Sequence, residues 1–170
     1  STIVVDGAPV IISGTGTLTV NEGTQLQVLD GSIILRDTAS IQSTTGTVLV
    51  DGGSILGYDD SFLLAQEGAA FSVSGGNVTL HDRASFSILS GSVLEVSNSG
   101  RSTQGSVYTT GTAFLELQDE SQILVTGGNF EVADFSDLVS STDTLIRVVN
   151  GDMVIRDAAT FQALDNTLLQ

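Results

Sequence analysis

Cysteine is absent from this chain, so neither a disulfide framework nor thiol chemistry is open to it. Lysine is absent too: the five basic residues are all arginine and face 20 acidic ones, for a net charge of −15. Nucleic acids and anionic membranes both need basic surface, so neither is expected as a partner. Proline and histidine occur once each. The single histidine, His81, stands beside Asp82 and Arg83 on an outward position. It reads as a solvated side chain rather than one member of a Ser-His-Asp triad. No apolar run is long enough to cross a membrane and no leader or lipidation motif is visible, so membrane insertion is not expected.

What is present is repetition. Short phrases of alternating apolar and polar residues, each a strand with one buried face, are joined by Gly, Asn, Asp and Ser. Gly75–Ser97 shows the plan in three phrases, GGNVTLHD, RASFSIL and SGSVLEVS. Three phrases make a unit of 22–23 residues, and the same positions return in each unit. One column is Val5, Val28, Val50, Val73, Val96, Val125 and Val148. A second is Ile3, Leu26, Val48, Phe71, Leu94, Ile123 and Ile146. A third is Val10, Ile33, Ile55, Val78, Val107, Phe130 and Met153. A fourth holds only small residues: Gly16, Ala39, Ser61, Ala84, Ala113, Ser136 and Ala159. That column marks a corner where the interior admits no more than a methyl or hydroxyl group.

Columns held across seven units exclude a β-sandwich, and the Leu–Asn consensus of a leucine-rich horseshoe is missing. The expected fold is all-β: a single-stranded parallel β-helix of about seven three-strand coils, stacked about 4.8 Å apart, with a right-handed crossover. Residues 1–170 are expected to form one such domain. Asn98–Gly105 (NSGRSTQG) interrupts it, because the column spacing there widens to 29 residues. This stretch reads as a polar loop inserted between coils. Thr109 and Ser140 fall on inward positions, where a looser core is expected. No capping segment is visible at either end, so both terminal coils are expected to expose strand edges and core.

Several columns bear on chemistry. Five coils close the same strand with aspartate: Asp37, Asp59, Asp82, Asp134 and Asp157, with Gly14 and Gly111 in the other two. Stacked carboxylates either hold nearby backbone N–H groups or share a divalent cation, for which calcium suits oxygen ligands. No cofactor is required by this pattern; calcium is the one the ladder admits. Gly31, Gly53, Gly76, Gly105, Gly128 and Gly151 open the following strand and are expected to sit at a corner needing positive φ. Asn77-Val78-Thr79 is a glycosylation sequon. Outward positions include Ile11, Ile34, Leu56, Tyr108 and Val154, interrupted by Thr79 and Glu131. A continuous apolar stripe of this kind marks a contact surface. On the next strand Phe62, Leu64 and Phe114 also point outward. Thr17 and Thr19 form one threonine pair of the sort an ice-binding face uses, but Ser40/Gln42, Phe62/Leu64 and Ser85/Ser87 follow, so the array ends after one row.

The run G-[SN]-x-[VIL]-x-[LV]-x-D followed by x-[AS]-x-[FIL] resembles the repeats of bacterial surface β-helices, with autotransporter passenger domains and filamentous-haemagglutinin-type adhesins as the nearest class. The likeness covers nearly the whole chain and is architectural. It implies an extracellular or cell-surface structural role and carries over no active-site residue. The leading expectation is a non-enzymatic structural protein that associates with itself end to end, forming a fibre or surface layer. Its contact residues would be Ile3, Val5, Ile11, Ile34, Leu56, Tyr108, Val154, Leu168 and Leu169. The alternative is an adhesin-like module that binds glycan or a surface protein through the 98–105 loop. An enzyme cleaving polysaccharide would need a cleft between long loops, which one short insertion does not supply.

Overall fold

A computed structural model describes residues 1–99 and 105–170. Residues 100–104, the middle of the expected insertion, lie outside the described residues. The chain winds through three parallel sheets, and no helix interrupts it among the described residues. The first sheet has eight strands, from Thr2–Asp6 to Leu168–Leu169. The second has seven, from Val10–Ile12 to Met153–Ile155, and the third seven, from Thr17–Val20 to Thr160–Ala163. Each strand pairs with the strand one coil before and one coil after, which makes a parallel β-solenoid of about seven turns.

The register is the one the columns require. Ile3 pairs with Leu26 and Val5 with Val28; the succession continues to Ile123–Ile146 and Val125–Val148. In the second sheet Val10 pairs with Ile33 and Phe130 with Met153. Parallel pairing with a repeat of constant length sets like residues on like, so one apolar position per strand builds one stripe of core. Phe71, Phe86 and Phe130 are fully buried along that axis, and Phe71 meets Phe86 edge to face at 5.1 Å between centroids. Burying one such side chain contributes about 1.5–3 kcal/mol. Thr109 and Ser140 do face inward. The Thr109 hydroxyl has no partner among the described residues, whereas Ser140 pairs with Thr144.

The three corners differ, and each has its own reason. Between the second and third sheets sits the small column; Ala39, Ser61, Ala84, Ala113 and Ser136 are all buried. The space is tight: a Cβ built on Gly57 would stand 3.3 Å from the Ala84 methyl. Between the first and second sheets the expectation for the glycines is corrected. Gly31, Gly53, Gly76, Gly105, Gly128 and Gly151 have ordinary φ; the positive φ falls on a preceding residue instead, at Asp30, Gly52, Gly75, Gly127 and Asn150. The column is glycine because of contact. A Cβ at Gly53 would lie 1.7 Å from the Gly31 carbonyl oxygen, and one at Gly151 would lie 1.8 Å from that of Gly128. Between the third and first sheets the first two coils turn on one left-handed residue each, Gly23 and Thr45, and the later coils on two in succession, as in Glu67-Gly68, Asp119-Glu120 and Thr142-Asp143.

Candidate functional site

The aspartate ladder lies on the corner between the second and third sheets, two residues past the strands Ile33–Leu35, Ile55–Gly57, Val78–Leu80, Phe130–Val132 and Met153–Ile155. Asp37, Asp59, Asp82, Asp134 and Asp157 all have φ between 58° and 62°. Aspartate tolerates this left-handed region better than most residues. Gly14 and Gly111, which fill the column elsewhere, also have positive φ. Four of the five carboxylates reach back one coil, while Asp157 accepts from the side chain of Arg156. Asp37 accepts from the Gly14 N–H at 2.8 Å, Asp59 from that of Asp37 at 3.1 Å, Asp82 from that of Asp59 at 3.4 Å, and Asp134 from that of Gly111 at 3.1 Å. Backbone amides that the corner turns outward are satisfied in this way.

Asp134 also accepts from the Thr110 hydroxyl. That bond, then the Gly111 amide, hold its carboxyl below the usual carboxylate range; the nearby charge of Arg156 acts in the same direction, and burial opposes them. One residue along the corner, Arg83 grips Asp60 with two bonds of 2.5 and 2.6 Å and holds that carboxyl low as well. Among the described residues no three His, Cys, Asp or Glu side chains converge as a metal ion would need. Asp37, Asp59, Asp82 and Asp134 each give one carboxylate oxygen to a backbone N–H of the coil before, and Asp157 gives one to the Arg156 side chain.

His81 is not simply solvated. It is half-buried and stacks on Tyr58, with ring centroids 4.9 Å apart and planes 5° from parallel. The two rings hold the same corner position in adjacent coils, flanked by Arg36, Asp59 and Asp82 around a shallow depression. The 23-residue spacing of Tyr58 and His81 was the available signal; it shows only once the corner columns are aligned beside the core columns. A second unread ladder runs along the corner between the first and second sheets. There each backbone N–H donates to the side-chain oxygen of its counterpart one coil earlier: Ser54 to Ser32, Asn77 to Ser54, Ser106 to Asn77, Asn129 to Ser106 and Asp152 to Asn129, all at 3.0–3.1 Å. The sequon asparagine is a rung of it.

The expected contact residues fall into two groups. Ile11, Ile34, Leu56, Thr79, Tyr108, Glu131 and Val154 stack in register on the outer face of the second sheet. Only Ile11, at 59%, is strongly exposed; Ile34, Leu56, Tyr108 and Val154 are half-buried by their neighbours in the line. Its C-terminal part is polar: Arg156 reaches Glu131 at 2.5 Å and the Tyr108 hydroxyl at 3.2 Å. Ile3, Val5 and Leu169 occupy inward columns of the end strands, and Leu168 points outward beside Leu169. Ile3 is 51% exposed and Leu169 47%, whereas Leu26, one coil in, is 2% exposed.

The folding pattern and these ladders define a parallel β-helix whose polar corners are occupied with holding its own backbone. Comparison with protein families, with curated proteins and with solved structures returns no match.

Proposed function

We propose that this protein is a non-enzymatic, extracellular or cell-surface structural rod that associates with further copies of itself through its terminal coils. The observation that carries this reading is the exposure of core columns at the ends: Ile3, Ile155 and Leu169 are open to solvent by 51%, 41% and 47%, in columns that are shut elsewhere in the stack. Open strand edges beside uncovered apolar side chains are where another chain adds. The charge of −15 favours solubility of separate rods and sets the protein against nucleic acid and anionic membranes as partners. The case for a non-enzymatic role rests on the corners, where carboxylates hold backbone amides instead of facing one another across a cleft. The surface location rests on the likeness of the repeats to bacterial surface β-helices.

Sedimentation velocity over a range of concentrations tests the reading. Mass-action growth of species larger than one chain is expected, and Ile155→Asp with Leu169→Asp should abolish it while the circular dichroism stays that of β-structure. A single monomeric boundary at every concentration would sink the proposal.

A further inference from the structure

Charge on this molecule gathers at the corners, and the outer face of the first sheet is nearly free of it. Among the described residues, strand alternation points only Asp6, Asp51 and Glu95 of the acidic residues outward from that sheet, and only Arg147 of the basic ones. Glu95, Leu124 and Arg147 are consecutive members of its middle column. Both charges are exposed, and Leu124 between them is half-buried. Neither Glu95 nor Arg147 has an ion pair or a side-chain hydrogen bond among the described residues. They stand two strand spacings apart, about 10 Å, so the chain leaves them unpaired across the leucine. A shallow depression bordered by Glu95, Leu124, Thr126, Arg147 and Val149 occupies the same place. Val93 and Leu145 flank the column on one side, Ser97 and Val149 on the other. Each of the three strands has a neighbour on both sides, so this patch involves no open edge.

Opposite charges set symmetrically about an apolar residue are self-complementary. We propose that this patch is a lateral contact between two copies of the chain, packed face to face about a two-fold axis that runs parallel to the strand Gln122–Thr126 and over Leu124. The strands of the two copies then run the same way, while their coils stack in opposite order. Leu124 meets Leu124 of the second copy. Glu95 faces Arg147 of the second copy and Arg147 faces its Glu95, so both ion pairs form at once. Val93 meets Leu145 and Ser97 meets Val149, each twice by symmetry. Aligned sheets packed in this way lie about 10 Å apart. An axis parallel to the rod would instead set Glu95 on Glu95 and Arg147 on Arg147, where like charges repel. Any other coil-on-coil register of the antiparallel arrangement loses both ion pairs. The contact is separate from the terminal coils. It presents nine outward residues on three strands, fewer than the about 20–30 a side of a standard interface, so the pairing is weak and is read by trapping it.

The chain has no cysteine, so one introduced thiol reports on one position. Thr126 is exposed and lies on the two-fold axis, where a thiol would face its own counterpart in the second copy. With a short bismaleimide at roughly millimolar protein, Thr126→Cys is expected to give a covalent dimer. Gln162→Cys, exposed on the third sheet, should give only the collisional background. Adding Glu95→Arg to Thr126→Cys should bring its dimer down to that background, and so should adding Arg147→Glu. Mixing those two chains should restore the dimer, because each supplies the charge that the other lacks; recovery on mixing also shows that both are folded. Ile155→Asp with Leu169→Asp should leave the cross-link in place, which separates this contact from the terminal one. Cross-linking at Thr126 no greater than at Gln162 would overturn the proposal. A dimer indifferent to either charge reversal, or one that mixing fails to restore, would overturn it as well.

Discussion

Gly53 and Ala84 hold adjacent corners of the same stack and are small for different reasons. Ala84 fills a narrow interior, whereas Gly53 lies against a carbonyl that belongs to the backbone and cannot swing aside. Gly53→Ala is therefore expected to cost at least about 3 kcal/mol, the upper end of what overpacking costs, read from the urea midpoint at constant slope. The same column holds alanine at Ala8, whose carbonyl oxygen a Cβ on Gly31 would meet at 2.1 Å. Asp134 shows the other use of a corner residue. Its carboxyl is held low chiefly by the Thr110 hydroxyl. A carboxyl lowered on folding stabilises the native state above its ordinary value near 3.9, and that contribution fades as pH falls from there through the lowered value. Thr110→Val should raise the Asp134 midpoint in carbon-detected NMR titration, and it should shrink the acid-side loss of stability. An unmoved midpoint would mean that the hydroxyl is not the cause.

At the scale of the element, the third-to-first-sheet turn carries the most local strain. From the third coil on, its two middle residues both have positive φ, the geometry of a type I′ turn, which favours glycine and asparagine. Glu67-Gly68 and Ser90-Gly91 follow that preference in the second place, whereas Asp119-Glu120 and Thr142-Asp143 have side chains in both. The left-handed conformation costs an ordinary residue about 1–2 kcal/mol, and glycine's extra freedom in the unfolded chain returns part of that. Glu120→Gly is expected to stabilise the protein by about 1 kcal/mol in thermal unfolding. Part of that gain would come from thinning the charge shared with Asp119 in the same turn and Asp143 in the turn of the next coil. The strands themselves need no such devices: strict alternation along residues such as Gln25–Leu29 puts Leu26 and Val28 inward and leaves Gln25 and Gln27 on the outer face.

The whole molecule is an acidic rod held by stacking, with its charges at the corners and outer faces. Those charges repel one another, and ordinary salt screens them within about 10 Å at 0.1 M. Because four of the five ladder carboxylates already hold amides, a millimolar amount of calcium should act only as ionic strength. At matched ionic strength, the melting temperature with calcium and with a chelator is expected to agree within about 2 °C, roughly the shift that 1 kcal/mol or less produces in a chain of this size. A rise well beyond that would assign the ion a specific place on the ladder. The sequence alone determined the fold class, the number of coils, the register and the inward columns, since coils of equal length stack equal residues and the period is written along the chain. It also marked Asp37, Asp59, Asp82, Asp134 and Asp157 as a ladder. Only the tertiary structure decided what those aspartates hold, why Gly31 and Gly53 are glycine, and that His81 lies on Tyr58. Periodicity reports which residues recur, whereas the direction of an N–H and the closeness of two backbones exist only between coils.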